Sequence, residues 1–406
     1  MRPYSRSASR LALIKKPSRT TVFLATGTAL SLPGDQALYA LLPLYFQEIG
    51  LLPFQVGILL SANRWIRLFT NHLAERLTGQ YPAHLMLAGS LALGGLLSAV
   101  YAASSSFFIL LAARCLWGLC WSFIRHISVM GVALTSDPLD RGQMMGHYNG
   151  ISRLGSVTGI VLGGILFDVI GFTYTMVVFC VASLLAIPFA LSSGIQLVGT
   201  HNTKWETNKT GLGHHSLLTC GFCIGRVGPG LLMSTLGFIL LSRYGQQVDL
   251  FGLLVGIATL NGLLLGCRWV LDTLGAPIYG ALIDRAGLYI GAPLCFIVGI
   301  MAMLLLALDD DLAILSASII VFFVCGTALS TVISAEASHQ GSRVFARYAT
   351  ATDLGAAFGP VIGWTAYEFL DIPDLAFILG ALLYTIGLLA ALIAFRPPST
   401  LEAHQE

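Results

Sequence analysis

GAPIYGALIDRAG, residues 275–287, stands between two apolar runs, each long enough to cross a lipid bilayer. Asp284 and Arg285 sit side by side where the first of those runs has to end. An acid and a base next to each other cannot stay in hydrocarbon, so the pair marks the point where a helix leaves it. The rest of the chain decides what kind of assembly such helices build.

Of 406 residues, 56% are hydrophobic and only 10% charged, and the mean hydropathy is +0.80. A soluble domain carries about 25% charged residues, so the composition predicts an all-α polytopic membrane protein. A spanning helix needs about 20 mostly apolar residues. Twelve runs meet that length, at roughly 22–47, 54–74, 83–104, 107–134, 146–168, 173–193, 216–242, 251–283, 287–308, 313–335, 346–369 and 374–396. The expected organisation is a basic N-terminal segment 1–21, a first bundle 22–193, a polar central loop 194–215, a second bundle 216–396 and a tail 397–406.

Charge placement sets the expected orientation. Arg2, Arg6, Arg10, Lys15, Lys16 and Arg19 precede the first run. Threading twelve spans brings Arg76, Arg141, Lys204, Lys209, Arg285, Arg343, Arg347 and Arg396 to that same side. The opposite turns carry Glu48, Asp168, Asp249, Asp309 to Asp311, Glu368, Asp371 and Asp374, with Arg243 the one basic exception. By the positive-inside rule both termini are expected in the cytoplasm, in a plasma membrane, the bacterial inner membrane being the expected one. The first run is too long for a cleaved signal and reads as a retained helix. That also makes the Asn208-Lys209-Thr210 sequon a cytoplasmic one.

Eight cysteines lie mostly inside the runs and read as packing residues rather than a disulfide framework. Cys220-x-x-Cys223, near His214 and His215, opens an apolar helix and is read the same way, so no metal is expected. With no Gly-Lys dipeptide there is no P-loop, and no H-E-x-x-H is present. Neither an ATP-driven pump nor a zinc protease fits, and no cofactor, nucleic acid partner or enzymatic activity is expected. A polytopic membrane enzyme and a non-transporting sensor are the competing classes.

An internal repeat crosses the central loop. RGQMMGHYNGISRLGSVTGIVLGG (141–164) aligns without gaps to GSRVFARYATATDLGAAFGPVIGW (341–364), pairing Tyr148 with Tyr348. The same register pairs Gly155, Gly159 and Gly163 with Gly355, Gly359 and Gly363. Glycines four apart make a smooth helix face that allows close approach. NHLAERL (71–77), with Glu75 and Arg76, ends the second run as GALIDRAG ends the eighth.

At these residues the chain resembles the major facilitator superfamily. Gly280-x-x-x-Asp284-Arg285-x-Gly287 is similar to that family's cytoplasmic motif between helices 8 and 9. The copy between helices 2 and 3 is degraded, with Asn71 for glycine and Glu75 for aspartate. Arg114-x-x-x-Gly118 resembles the helix-4 motif linked in the family to proton coupling. Gly155 to Gly164 resembles its antiporter motif in helix 5, although Ile160 replaces the proline; Pro360 supplies one in the other half. The resemblance implies two pseudo-symmetric six-helix bundles, alternating access for a small solute, and a cytoplasmic gate at Glu75, Arg76, Gly280, Asp284, Arg285 and Gly287.

Ten charged residues fall inside the runs, away from their ends: Asp35, Arg64, Arg67, Arg114, Arg125, Arg153, Arg226, Arg268, Asp272 and Asp353. Each costs about 2.5–3.5 kcal/mol on insertion scales and is a functional hypothesis by default. Depth at about 1.5 Å per residue, combined with the helix neighbours of the family fold, predicts three pairs: Asp35 with Arg114, Arg67 with Asp353, and Arg153 with Asp272. Asp35, Arg114, Asp272 and Asp353 are the expected proton-coupling residues. Arg64, Arg125, Arg226 and Arg268 are left without acids and are the expected contacts for an anionic substrate. Arg226 stands first among them, about 15 Å into its helix and followed by Gly228-Pro229-Gly230. Guanidinium forks suit carboxylates and phosphates. The expected function is proton-coupled export of a small organic anion by a monomeric carrier, with uptake of an organic anion or siderophore by symport as the alternative.

Overall fold

The computed structural model describes residues 16–137, 140–197, 212–250, 252–275, 278–279, 282–283, 285 and 287–395. The first half comprises α1 (Arg19–Ser31), α2 (Pro33–Tyr45), α3 (Pro53–Thr78), α4 (Ala83–Ala103), α5 (Phe107–Thr135), α6 (Arg141–Leu184) and α7 (Ile187–Ser193). The second comprises α8 (Leu212–Gly225), α9 (Met233–Tyr244), α10 (Ile257–Val270), α11 (Leu288–Leu308), α12 (Leu312–His339), α13 (Ser342–Leu370) and α14 (Leu375–Ala394). Two π-helical turns, Arg226–Leu232 and Leu271–Gly275, follow α8 and α10. Among the described residues, seven helical stretches are long and apolar enough to cross a membrane.

Among the described residues the helices group into eleven runs rather than the expected twelve. The difference lies in α6, a run of 44 residues. At about 1.5 Å per residue a straight helix of that length would be twice as long as a hydrocarbon core is thick. Gly171 interrupts it with φ 79 and ψ 173, a backbone state that a side chain would make costly. The expected runs 146–168 and 173–193 are the arms on either side.

The first expected run is likewise two helices. α1 stops at Ser31, and Pro33 opens α2 as its first residue, where a missing N–H costs nothing. A helix N-terminus therefore lies inside the bundle, with Asp35 in its first turn, where the helix dipole favours a carboxylate. The eighth helix begins at Ile257, not 251. Residues Gln247–Leu250 and Leu253–Gly256 instead form an antiparallel hairpin, turned by Gly252 at φ 85 and by its N–H donating to Asp249 Oδ1 at 2.7 Å.

The two glycine stripes set the halves' internal packing. A Cβ on Gly155 or Gly159 would run into the backbone of Ala29 or Pro33, at α1 and α2. One on Gly355 or Gly359 would run into Phe222 or Arg226, at α8 and its π turn. Gly163 and Gly363 continue the two contacts against Ala37 and Leu231. The same small-residue device thus serves corresponding helices in both halves. Between the halves, α3 packs on α13, α6 on α10, and α2 on α9. The helix that includes α8 and α9 is the most enclosed: 83% of its most apolar window is buried, against 39–50% in the other spans.

Candidate functional site

A cavity of about 700 Å³ lies between the halves. Helical spacing presents its lining: Trp117, Trp121 and Arg125 from α5 recur every fourth residue, as do Tyr148, Ser152 and Ser156 from α6, with Arg153 beside them. Asp35, Asn63, Arg64 and Arg67 come from α2 and α3; Arg268, Trp269 and Asp272 from α10 and its π turn; and Thr352, Asp353 and Ala356 from α13.

Asp35 is held by Arg114, whose Nη1 lies 2.5 Å from Oδ1. Asn63 Nδ2 donates to the same oxygen at 3.2 Å, and Gln36 Nε2 donates to Oδ2 at 3.1 Å. Arg114 is 1% exposed and Asp35 6%. A buried pair with its remaining groups hydrogen-bonded is the condition under which such charges persist in an interior. Arg114 Nε meets that condition by donating to Leu59 O at 2.9 Å.

The other two predicted pairs also form, and both cross between the halves. Arg67 lies 3.4 Å from Asp353, and Arg153 lies 3.3 Å from Asp272. In each the first half supplies the arginine and the second half the aspartate. Asp272 further accepts from Thr327 Oγ1 at 2.5 Å.

Of the four arginines expected to meet substrate, three line the cavity. Arg64 donates across the gap to the carbonyls of Ala356 and of Pro229, the latter at 3.0 Å, and lies over the Tyr39 ring. Arg268 rests against the Met233 thioether and over the Trp269 ring, whose centroid lies 5.2 Å from Arg153 Cζ. Arg125 is exposed to the cavity, and among the described residues no carboxylate pairs with it. Arg226 departs from the expectation. Its guanidinium lies over Phe222, 5.5 Å from the ring centroid, with Nε buried and unpartnered, and it is not among the cavity's lining residues. Phe222 precedes Arg226 by four residues, one helical turn, so the side chain lies back along its own helix.

Gly280 and Asp284 of the expected gate lie outside the described residues. Arg285 is exposed, Glu75 and Arg76 are exposed near the C-terminal end of α3, and Gly287 caps α11 at φ 83. Cys220 and Cys223 are buried in helix packing, Cys220 Sγ donating to Gly387 O at 3.6 Å. The basic exception, Arg243, is matched by Asp374 at 2.8 Å and Asp310 at 3.4 Å.

Several cavity residues had no signal in the sequence. Tyr39, Asn63, Trp121 and Trp269 are uncharged, and inside an apolar run they resemble ordinary packing residues. Toward the end that carries Glu48 and Asp168, the cavity is closed by aromatic contacts. Phe46 meets Phe238 and Trp364 at centroid distances of 5.7 and 5.1 Å, and Phe238 meets Tyr367 at 4.6 Å. Toward the other end it continues past Thr331, Ser334 and Phe345.

Two helical halves packed around a polar, charge-lined cavity are the architecture of a secondary transporter. The family model described as Major Facilitator Superfamily matches residues 24–339, and the chain belongs to that superfamily. No curated protein sequence matches. Among solved structures, the chain is similar to a bacterial homologue of the human lysosomal transporter Spinster, in an inward-facing, unoccupied conformation. That match has a TM-score of 0.76 at 13% identity, over 94% of this chain and 98% of that one. The nucleoside transporter NupG gives 0.73 at 13% identity, covering 94% and 100%. The human organic anion transporter MFSD10 (TETRAN) gives 0.62 at 16% identity, covering 92% and 99%.

Proposed function

We propose that the chain is a secondary active transporter that exports a small organic anion in exchange for protons. The observation that carries the reading is the charge of the cavity wall, where five arginines face three aspartates. Arginine in a low-dielectric cavity calls for a counter-charge, and a carboxylate or phosphate can take two guanidinium hydrogen bonds at once. The likeness in fold to the human organic anion transporter MFSD10 is consistent with the reading.

The rest of the proposal follows from the same fold. It counts the arms flanking Gly171 as separate spans, giving twelve in two bundles, 22–193 and 216–396, with both termini in the cytoplasm of a plasma membrane and a monomeric carrier. The open end of the cavity is then the cytoplasmic one. Asp35 and Arg114 serve coupling, with Asp272 and Asp353 releasing their arginines on protonation. The turn containing Asp284 and Arg285 gates the cytoplasmic side.

The test is a solute screen in energised vesicles, with and without a pH gradient. An anion that leaves the cytoplasmic side faster when protons run inward supports the proposal. Transport confined to neutral or cationic solutes overturns the substrate class, and accumulation with the proton flux makes the carrier a symporter.

A further inference from the structure

We infer that the carried anion bears at least two negative charges, one for each half of the protein. The inference rests on the anion reading above and specifies it. Each aspartate on the cavity wall is already committed. Asp35 belongs to Arg114, which is buried behind the wall, Asp353 to Arg67 and Asp272 to Arg153. Among the described residues, three lining guanidiniums bond no carboxylate: Arg64, Arg125 and Arg268.

They are not equally needy. Arg64 has two backbone carbonyls, from Ala356 and Pro229, which satisfy a guanidinium's donors without neutralising it. Arg268 makes direct contact with a thioether, a weak acceptor, and an indole face, while the nearby Asp272 carboxylate is bonded to Arg153 and Thr327. Arg125 has only the cavity. Arg125 belongs to α5 of the first half and Arg268 to α10 of the second, so the two strongest unmet demands on this one cavity come from different halves. A monoanion answers one and leaves the other facing the cavity with no counter-charge. A dianion answers both, and joins the halves through itself as it does so. The shared chemistry is a small dianion, either a dicarboxylate or a phosphate monoester.

The experiment compares matched probes on the purified full-length protein in detergent, at constant ionic strength, by the shift in thermal unfolding midpoint. Succinate is paired with its monoamide, and glycerol phosphate with its methyl diester, so each dianion meets a monoanion of nearly the same shape. Losing one charge-assisted contact weakens binding by roughly tenfold or more. At least one dianion is therefore expected to reach half-maximal stabilisation at a concentration roughly tenfold lower than its partner, and the arm in which this happens identifies carboxylate or phosphate. Arg125→Gln and Arg268→Gln should each erase that advantage, whereas Arg226→Gln should keep it. Equal effects of dianion and monoanion overturn the inference and leave the anion reading standing. Absence of stabilisation by both dianions overturns it as well, and if neutral or cationic solutes are then the ones carried, the anion reading falls with it.

Discussion

Asp168 caps a helix in the opposite half of the molecule. Its Oδ2 accepts from the backbone N–H of Thr259 at 2.8 Å and from Thr259 Oγ1 at 2.6 Å. Thr259 is the third residue of α10, so a carboxylate from the far end of one bundle satisfies an orphan amide at the start of a helix in the other. Any state in which the halves part at this end has to give up both bonds. Removing an N-cap costs about 0.5–2 kcal/mol. Asp168→Ala is therefore expected to favour the state open at this end by roughly fivefold. Spin-label distances between positions 47 and 247 read that shift directly, and an unchanged distribution refutes the capping role in the cycle.

Asp35 separates stability from coupling. Its pair with Arg114 is almost fully buried, and breaking such a pair by removing one partner costs about 3–5 kcal/mol. Asp35→Ala should lower the unfolding midpoint severely. Asp35→Asn keeps a carbonyl for Arg114 and Asn63 but cannot exchange a proton. The expected result is folded protein that performs downhill exchange yet does not concentrate its substrate. Wild-type accumulation by Asp35→Asn removes Asp35 from the coupling role.

The glycine stripes allow a sharper comparison. A methyl group on Gly159 would sit 2.5 Å from Pro33 Cα, and one on Gly359 2.5 Å from Arg226 O. Both neighbours are backbone, so the helices have to separate, at about 1–3 kcal/mol each. Gly159→Ala and Gly359→Ala should lose stability by similar amounts, since they occupy equivalent positions. Gly146→Ala and Gly150→Ala, on the same α6, meet nothing and should gain a few tenths of a kcal/mol from reduced unfolded-state freedom. Thermal unfolding of the four variants checks the ranking.

Substrate affinity should divide the arginines by position. Arg268→Lys retains charge but loses the planar fork, and apparent affinity for the transported anion should weaken by roughly tenfold. Arg226→Lys should leave it unchanged, because that guanidinium lies over Phe222 and away from the cavity. Uptake kinetics for the two variants decide the matter; the reverse ranking would return Arg226 to the site.

What the sequence made legible was depth. The rise along a helix is constant, so counting residues from the end of a run placed Asp35 level with Arg114, and Arg67 level with Asp353. With few acids in the membrane, charge left little choice of partner once the family fold supplied the neighbours. Azimuth was not legible. Arg226 has the depth of a cavity residue, but it lies back over Phe222, one turn earlier, and depth does not say which way a side chain leaves its helix. The hairpin at 247–256 was hidden for a related reason. Leu253, Leu254 and Val255 are as apolar as any helix, and only Gly252 with Asp249 reveals the turn. Asp168 read as one more acid in an outer turn, because its partner is a backbone amide some ninety residues away, a group that no side-chain pattern announces.

The aromatic closure around Phe46 and Phe238 has an optical consequence. Trp364 is 1% exposed there, and its indole N–H donates to Ser234 O at 3.0 Å. Phe46 reaches it from one half, while Trp364 and Phe238 belong to the other. When the halves separate at that end, the indole trades an aromatic shell for water, and its emission moves to longer wavelength. In a variant that keeps Trp364 as its single tryptophan, the colour of its own fluorescence becomes a clock for the transport cycle, with no label attached.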